Sequence, residues 1–413
     1  MSAAESSAHA TRRVARTTDS FWLENRQCRC KISTMKVISR SLYLERVRKA
    51  LSRNPVVALL GPRQCGKTTL ARQMIPAGHA QYFDLDDPAV ARIFEQPMTA
   101  LQGLRGLVVI DEAQRQPAIF PVLRVLADRE ASPATFLILG SASPELSRQA
   151  AESLAGRVEV IEMRGFDLGE LPPKARETLW QRGGFPRSFL AADEEGSATW
   201  RKNFIQTFLE RDLGGAGVRP SALMGRFWTM LTHYHAQLWN GSEMAASLGV
   251  APNTARAYLD ALEQTYMIRR LPPWQANLGK RLVKSPKIYF RDSGLFHTLS
   301  GIHTAADLMT HPKLGASWEG FALEEIVRAH QPDHAWFFAV HSGSELDLLM
   351  ETRGRKIAVE FKRADAPRAT RSMHLAMADT GADELWVVYP GTRSYAIDDR
   401  ITARPLQDCI VRS

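Results

Sequence analysis

The sequence predicts an α/β protein in which a phosphate-binding-loop domain is followed by a helical module and then a second α/β module. Three observations carry this. An apolar run over 56–60 leads through Gly61-Pro62-Arg63-Gln64-Cys65-Gly66-Lys67-Thr68 into a helix-forming stretch. Short apolar strands alternate with helical patterns from about 36 to 165, the signature of a mainly parallel sheet. After a mostly helical stretch over 200–300, strands return in the final part of the chain.

Taken in order, residues 1–34 are rich in Ser, Ala and Arg without helical or strand period, and read as a disordered extension. Met35 opens the ordered sequence and is a candidate start; an organelle targeting peptide is the weaker alternative. At 413 residues the chain is long enough for two or three domains. The expected division is 35–195, 196–300 and 301–413, with the first boundary set by Gly183-Gly184-Phe185-Pro186 and the acidic, small-residue stretch 193–197. No apolar run reaches bilayer length, so the expectation is a soluble, cytoplasmic protein without a membrane partner. Cys28, Cys30, Cys65 and Cys409 have neither the spacing nor the neighbours of a disulfide framework or a zinc site. The net charge of +9 favours a polyanionic partner such as nucleic acid without establishing one.

The loop pattern carries a specific chemistry. Gly61 and Gly66 permit a tight turn around phosphate oxygens, and the backbone that follows Pro62, through Thr69, points N–H groups at them. Lys67 reaches the outer phosphates and the Thr68 hydroxyl ligates Mg²⁺. Strands are expected at 56–60, 81–85, 107–111 and 135–140, with a helix from Thr68 to Pro76. The 107–111 strand ends in Asp111-Glu112, where the aspartate can hold the Mg²⁺ shell and the glutamate can orient or deprotonate the attacking water. Ser141, at the end of the next strand, either contacts the γ-phosphate or water or belongs to the cap of a helix starting near Pro144. Arg157 is a candidate catalytic arginine reaching a neighbouring subunit, which would couple hydrolysis to homo-oligomer assembly; an ordinary surface ion pair fits it as well. Cys65, beside Lys67 and a helix N-terminus, is expected to favour its thiolate and to be protected from alkylation by ATP with Mg²⁺.

Gly-Pro-Arg-Gln-x-Gly-Lys-Thr-Thr-Leu, the strand ending Asp-Glu-Ala-Gln, the Gly-Ser-Ala-Ser strand end and Ser-Leu-Ala-Gly-Arg together resemble the AAA+ superfamily ATPases that carry a C-terminal domain of unknown function, DUF4143. The likeness runs over about 36–400. It implies an AAA+ nucleotide-binding fold and ATPase activity, with Lys67, Thr68, Asp111 and Glu112 in the matching positions.

In the middle, 242–250 and 252–262 read as two helices joined at Gly249, with Val250 turned into the core and Pro252 in the first turn of the second. Ala255, Leu259 and Leu262 share one face, leaving Asn253, Thr254 and Arg256 as candidate DNA contacts. Strands at 267–271 and 287–290 would complete a winged helix. Residues 253–300 hold eight Lys or Arg against three acids, a surplus able to position phosphates. Winged helices also pack subunits or bind proteins, and that reading stands beside DNA.

Near the C-terminus, Asp347 lies on one strand and Glu360-x-Lys362 on the next, thirteen positions on. A hairpin through 353–356 would bring them together, and Glu319 on a helix over 318–324 is a further acidic ligand. The pattern resembles the PD-(D/E)xK nucleases, which implies Mg²⁺-assisted phosphodiester cleavage, although the usual proline before the aspartate is absent. A charged amphipathic hairpin fits the same residues. The functional expectation is an ATP-binding, ATP-hydrolysing protein coupling nucleotide state to a DNA-binding, nuclease-like module. The alternative is a nucleotide-controlled signalling or defence switch that binds a protein partner through an inactive C-terminal domain.

Overall fold

The computed structural model describes residues 38–75, 81–130, 134–141, 152–213, 221–275, 283–340 and 343–410. The 1–34 extension, Pro76, Ala142, Ser143, Pro144, Lys280 and Arg281 lie outside the described residues. The elements below all belong to one unit, Arg40–Ser413.

The first module is a five-stranded parallel sheet in the order β2-β3-β4-β1-β5, formed by β1 (Val56–Gly61), β2 (Tyr82–Asp84), β3 (Gly106–Asp111), β4 (Ala134–Ser141) and β5 (Val158–Glu162). The central strands β1, β3 and β4 are apolar on both faces because helices cover both. Val56, Ala58 and Leu60 point to the side packed by α3 (Ile119–Ala127), whose Ile119, Phe120 and Leu123 are buried there. Val57 and Leu59 point to α1 (Ser41–Leu51) and α2 (Lys67–Met74), through Val47, Ala50, Leu70 and Ala71. β1 therefore stands in mid-sheet, with β4 between it and β3.

A helical stretch follows: α4 (Arg176–Arg182), then α5 (Glu194–Thr207), which Asp193 caps by accepting from Gly196 N–H. The acidic stretch expected to mark a boundary is thus the first turn of a helix. Beyond it come α6 (Ala222–Leu231), β6 (Gln237–Leu238), α7 (Gly241–Leu248), α8 (Pro252–Gln264), β7 (Ile268–Leu271) and β8 (Lys287–Phe290). The three strands form an antiparallel sheet in the order β6-β8-β7. Gly249 closes α7 at φ +69°, a conformation that favours glycine, and Ala255, Leu259 and Leu262 are buried against Phe227, Trp228 and Ile288.

After α9 (Ser293–Leu299) runs α10 (Leu314–His330), in which every residue from Ser317 to Val327 except Glu319 is buried. A helix covered this completely lies between modules rather than on a surface. It leads into β9 (His334–Ala339), β10 (Glu345–Thr352), β11 (Arg355–Phe361), α11 (Arg371–Thr380), β12 (Glu384–Tyr389), β13 (Tyr395–Asp398), β14 (Ile401–Pro405) and α12 (Leu406–Ile410). The sheet order is β13-β14-β12-β11-β10-β9. β9, β10 and β11 form an antiparallel meander, and β12 runs parallel to β11. The β9–β10 register shifts between Leu346 and Leu349, a bulge that re-aims the residues around Asp347.

The modules are joined through α10. Glu324 receives Arg164 from the first module and Arg269 and Arg291 from the middle one. Arg328 pairs with Asp167, and Glu325 accepts from Leu168 N–H at 2.7 Å. His235 fills the space where Gly320 has no side chain: a Cβ there would collide with the imidazole, while Tyr289 flanks it at 3.5 Å. Among the described residues, no helix is long and apolar enough to cross a membrane.

Candidate functional site

The nucleotide site lies beyond the carboxyl ends of β1, β3 and β4, where open α/β sheets hold ligands. Gly61 ends β1 with its Cα pressed against the Met163 backbone, so any side chain there would collide with the Met163 carbonyl. Gln64 at φ +63° and Gly66 at φ +104° bend the loop, and α2 begins at Lys67. The Lys67 ammonium is buried and donates to the carbonyls of Gly61 at 2.9 Å and Pro62 at 2.8 Å. Arg63 pairs with Asp212, which closes the helical stretch running on from α5. Gln64 and Thr69 are exposed.

Asp111 faces this loop from β3. Its Oδ2 accepts from the Thr68 hydroxyl at 2.7 Å and from the Tyr82 hydroxyl, and its Oδ1 accepts from Glu112 N–H at 2.9 Å. Burial, then the bond to Asp111, pushes the Tyr82 hydroxyl's pKa well up. Glu112 sits at φ +53° immediately after the strand. Burial raises its pKa, while the Gln114 amide and Lys67 oppose that shift. Gln114 Nε2 donates both to the Glu112 carboxylate and to Ser141 Oγ, the latter at 3.0 Å. Lys67, Thr68, Asp111, Glu112 and Ser141 thus converge, with Tyr82 and Gln114 added to the expected set. Gln114 stands in the quoted Asp-Glu-Ala-Gln run, but nothing in the run says that its amide turns back to the carboxylate.

Arg157 takes the ion pair that its sequence also allowed, and the expectation for Cys65 changes. Arg157 precedes β5, at the amino end of the parallel sheet and opposite this site, where it pairs with Asp128 and donates to Ala155 O at 2.8 Å. It is absent from its own chain's nucleotide site. Cys65 is fully buried beneath the loop and its thiol points to Met163 O at 3.5 Å, so the loop shields it from an alkylating reagent before any nucleotide binds.

In the middle module, Asn253 and Arg256 are exposed and Thr254 half-buried in the first turns of α8. Among the described residues, the basic surplus is largely spent on ion pairs within the molecule. Arg269 and Arg291 bind Glu324, Arg270 binds Asp260 and Glu263, and Lys287 binds Asp347. Of the expected cations, Arg256 and Lys284 remain exposed among the described residues. Counting charges along the sequence cannot separate such internal staples from a phosphate-binding surface.

The C-terminal residues do come together. Lys362 Nζ donates to Glu360 Oε1 at 2.6 Å, and Asp347 Oδ2 accepts from Phe361 N–H at 3.1 Å, so this carboxylate prolongs the ladder beyond Leu348 and Val359. Glu319 Oε1 accepts from the Tyr289 hydroxyl at 2.6 Å. Burial and then the Asp347 charge push Glu319 up to about 8 and Glu360 up to about 7. Lys287 enters the same cluster from β8, a participant the sequence did not announce.

A phosphate loop headed by lysine and threonine, faced by an aspartate–glutamate pair two strands away, defines a P-loop nucleoside-triphosphatase. Family models agree: an AAA domain matches residues 53–172, the domain of unknown function DUF8612 matches 174–306, and the domain of unknown function DUF4143 matches 314–409. The chain belongs to the family of AAA-type ATPases with a C-terminal DUF4143 domain. Its relatives include the uncharacterized proteins Rv2008c of Mycobacterium tuberculosis and Mb2031c of Mycobacterium bovis, each 50% identical over 376 residues, covering 91% of this chain and 85% of theirs. Solved structures are more distant. A Walker-type ATPase of Pyrococcus abyssi has a TM-score of 0.45 at 13% identity, covering 64% of this chain and 96% of that one. The clamp loader delta protein of Bacillus subtilis has a TM-score of 0.27 at 13% identity, covering 54% and 88%.

Proposed function

We propose that this ATPase uses its nucleotide state to set the arrangement of a winged-helix module and a nuclease-like module around α10. The observation that carries the proposal is the convergence of Lys67, Thr68, Asp111 and Glu112 at one sheet edge. Lys67 rests on loop carbonyls and exchanges them for phosphate oxygens when ATP binds. Thr68 and Asp111 present a hydroxyl and a carboxylate oxygen side by side, a hard-oxygen donor pair that fits Mg²⁺. When bound, Mg²⁺ supplies charge neutralisation at the β- and γ-phosphates. Glu112, aimed by Gln114, orients the attacking water and accepts its proton. The bond from Arg63 to Asp212 gives the helical stretch a direct hold on the loop.

The order α6-β6-α7-α8-β7-β8, with β7 and β8 antiparallel, supports the winged-helix reading; Asn253, Thr254 and Arg256 are its candidate DNA contacts. The order α10-β9-β10-β11-α11-β12, with acids on β10 and β11, supports the nuclease-like reading. The internal pairing of the basic side chains favours a second reading, a nucleotide-controlled switch that engages a protein partner. ATP turnover measured with and without duplex and branched DNA, at two salt concentrations, decides between them. Salt-sensitive stimulation by DNA supports the first, and turnover indifferent to DNA at low salt removes it.

A further inference from the structure

Glu319, Asp347 and Glu360 form an acidic cluster from three elements, and one of its oxygens lacks a partner. Glu360 is 6% exposed, and its Oε2 is buried with no hydrogen bond. An uncompensated carboxylate oxygen among other carboxylates marks a place for a cation. A divalent metal is what a nuclease-like module would bring there. Yet among the described residues no group of three or more His, Cys, Asp or Glu is arranged to hold a metal. The reason is visible in β8. Lys287, 7% exposed, places Nζ 3.3 Å from Asp347 Oδ1 and 3.9 Å from Glu319 Oε1, above the Phe337 ring. Tyr289, two positions on, donates to the same Glu319 oxygen.

We infer that Lys287 occupies the cation seat of this cluster, so that the C-terminal module is a latent metal site which opens only when β8 withdraws. The ammonium and a divalent ion are mutually exclusive there: both need Asp347 and Glu319, and at this separation their repulsion inside a low-dielectric site is prohibitive. Because Lys287 comes from the middle module's sheet, the seat is governed by how that sheet stands against α10 and β10. Withdrawal would leave three carboxylates, two of them buried, facing Lys362 alone, an arrangement that a divalent ion would relieve. This inference rests on the nuclease-like reading of the C-terminal module.

The test uses the full chain without nucleotide, titrated with Mn²⁺ and followed by the electron paramagnetic resonance of the free ion and by thermal melting. Wild type is compared with Lys287→Gln, with Lys287→Met, which keeps an apolar stem against Phe337, and with each of these combined with Asp347→Asn. The expected result is a Mn²⁺ site about tenfold or more tighter in the Lys287 variants than in wild type, raising their melting temperature and lost with Asp347→Asn. A wild-type protein that binds Mn²⁺ as tightly as the variants, in a manner lost with Asp347→Asn, would overturn the role of Lys287 and leave the nuclease-like reading intact. Folded Lys287 variants that bind no Mn²⁺ through Asp347 would overturn both. If neither variant folds, the wild-type titration against Asp347→Asn still exposes the proposal to refutation: tight Asp347-dependent binding defeats it.

Discussion

The nucleotide site and the C-terminal acidic cluster each bring lysines and carboxylates together, but they balance charge in opposite ways. At the phosphate loop, Lys67 leans on backbone carbonyls of its own loop, and Asp111 is held by hydroxyls. These partners are neutral, so Lys67 can exchange its carbonyls for phosphate oxygens, and Asp111 its hydroxyls for a metal shell, without stranding a charge. At the C-terminal cluster the compensating charge comes from another module, through Lys287, and is buried with its partners. Exchange there requires two modules to part. A ready site and a locked site can therefore share residue types and differ only in who supplies the counter-charge.

The largest expected effect comes from the ready site. Lys67→Ala should lower ATP turnover by about 10²–10³-fold and weaken nucleotide binding, since it removes the charge aimed at the transferring phosphoryl group. Glu112→Gln should slow turnover by about 10²-fold or more while ATP binding is retained, read by single-turnover hydrolysis beside equilibrium binding. Wild-type turnover in Glu112→Gln would erase the assigned role.

The locked side is probed through α10. Glu324→Ala takes from Arg269 the carboxylate it pairs with, while Arg164 and Arg291 keep Glu162, and should destabilise the chain by about 3–5 kcal/mol in urea unfolding. A loss near zero would mean that the modules are not held by this charge. A smaller effect concerns a neutral bond on the same helix. His297 Nδ1–H donates to Gln181 O at 3.0 Å, and its Nε2 accepts from Ser317 Oγ–H at 2.7 Å, while Ser317 Oγ accepts from Trp180 Nε1–H. Burial holds this imidazole down at about 4. A histidine depressed in the folded state contributes stability above its ordinary value near 6.5, and loses it as pH falls toward 4. The melting temperature should therefore drop over that window, and His297→Gln should flatten part of the drop.

The phosphate loop and β1, β3 and β4 were legible in the sequence because each is local: an apolar run delivering its functional residues within a few positions. The two middle helices were legible for the same reason, from their 3.6-residue period and Gly249. β5 was missed because Val158–Glu162 alternates with glutamates and reads as polar. β13 and β14 were missed as short strands on the outer side of a sheet already counted. The pairing of the basic stretch was not legible, because a sequence shows cations but not the buried Glu324 and Asp347 that receive them. Lys287 is the sharpest case: a lysine opening an apolar strand looks like an exposed end until β10 is set beside it.

One absent side chain has the last influence on that arrangement. Gly320 follows Glu319 directly and gives α10 a notch into which the His235 ring fits. A side chain brought to that spot by a turn or shift of the helix would collide with the imidazole, so the notch acts as a key that fixes the helix in phase. Glu319 inherits its setting against β8 from a mechanical registration made one position away, by atoms the chain does not have.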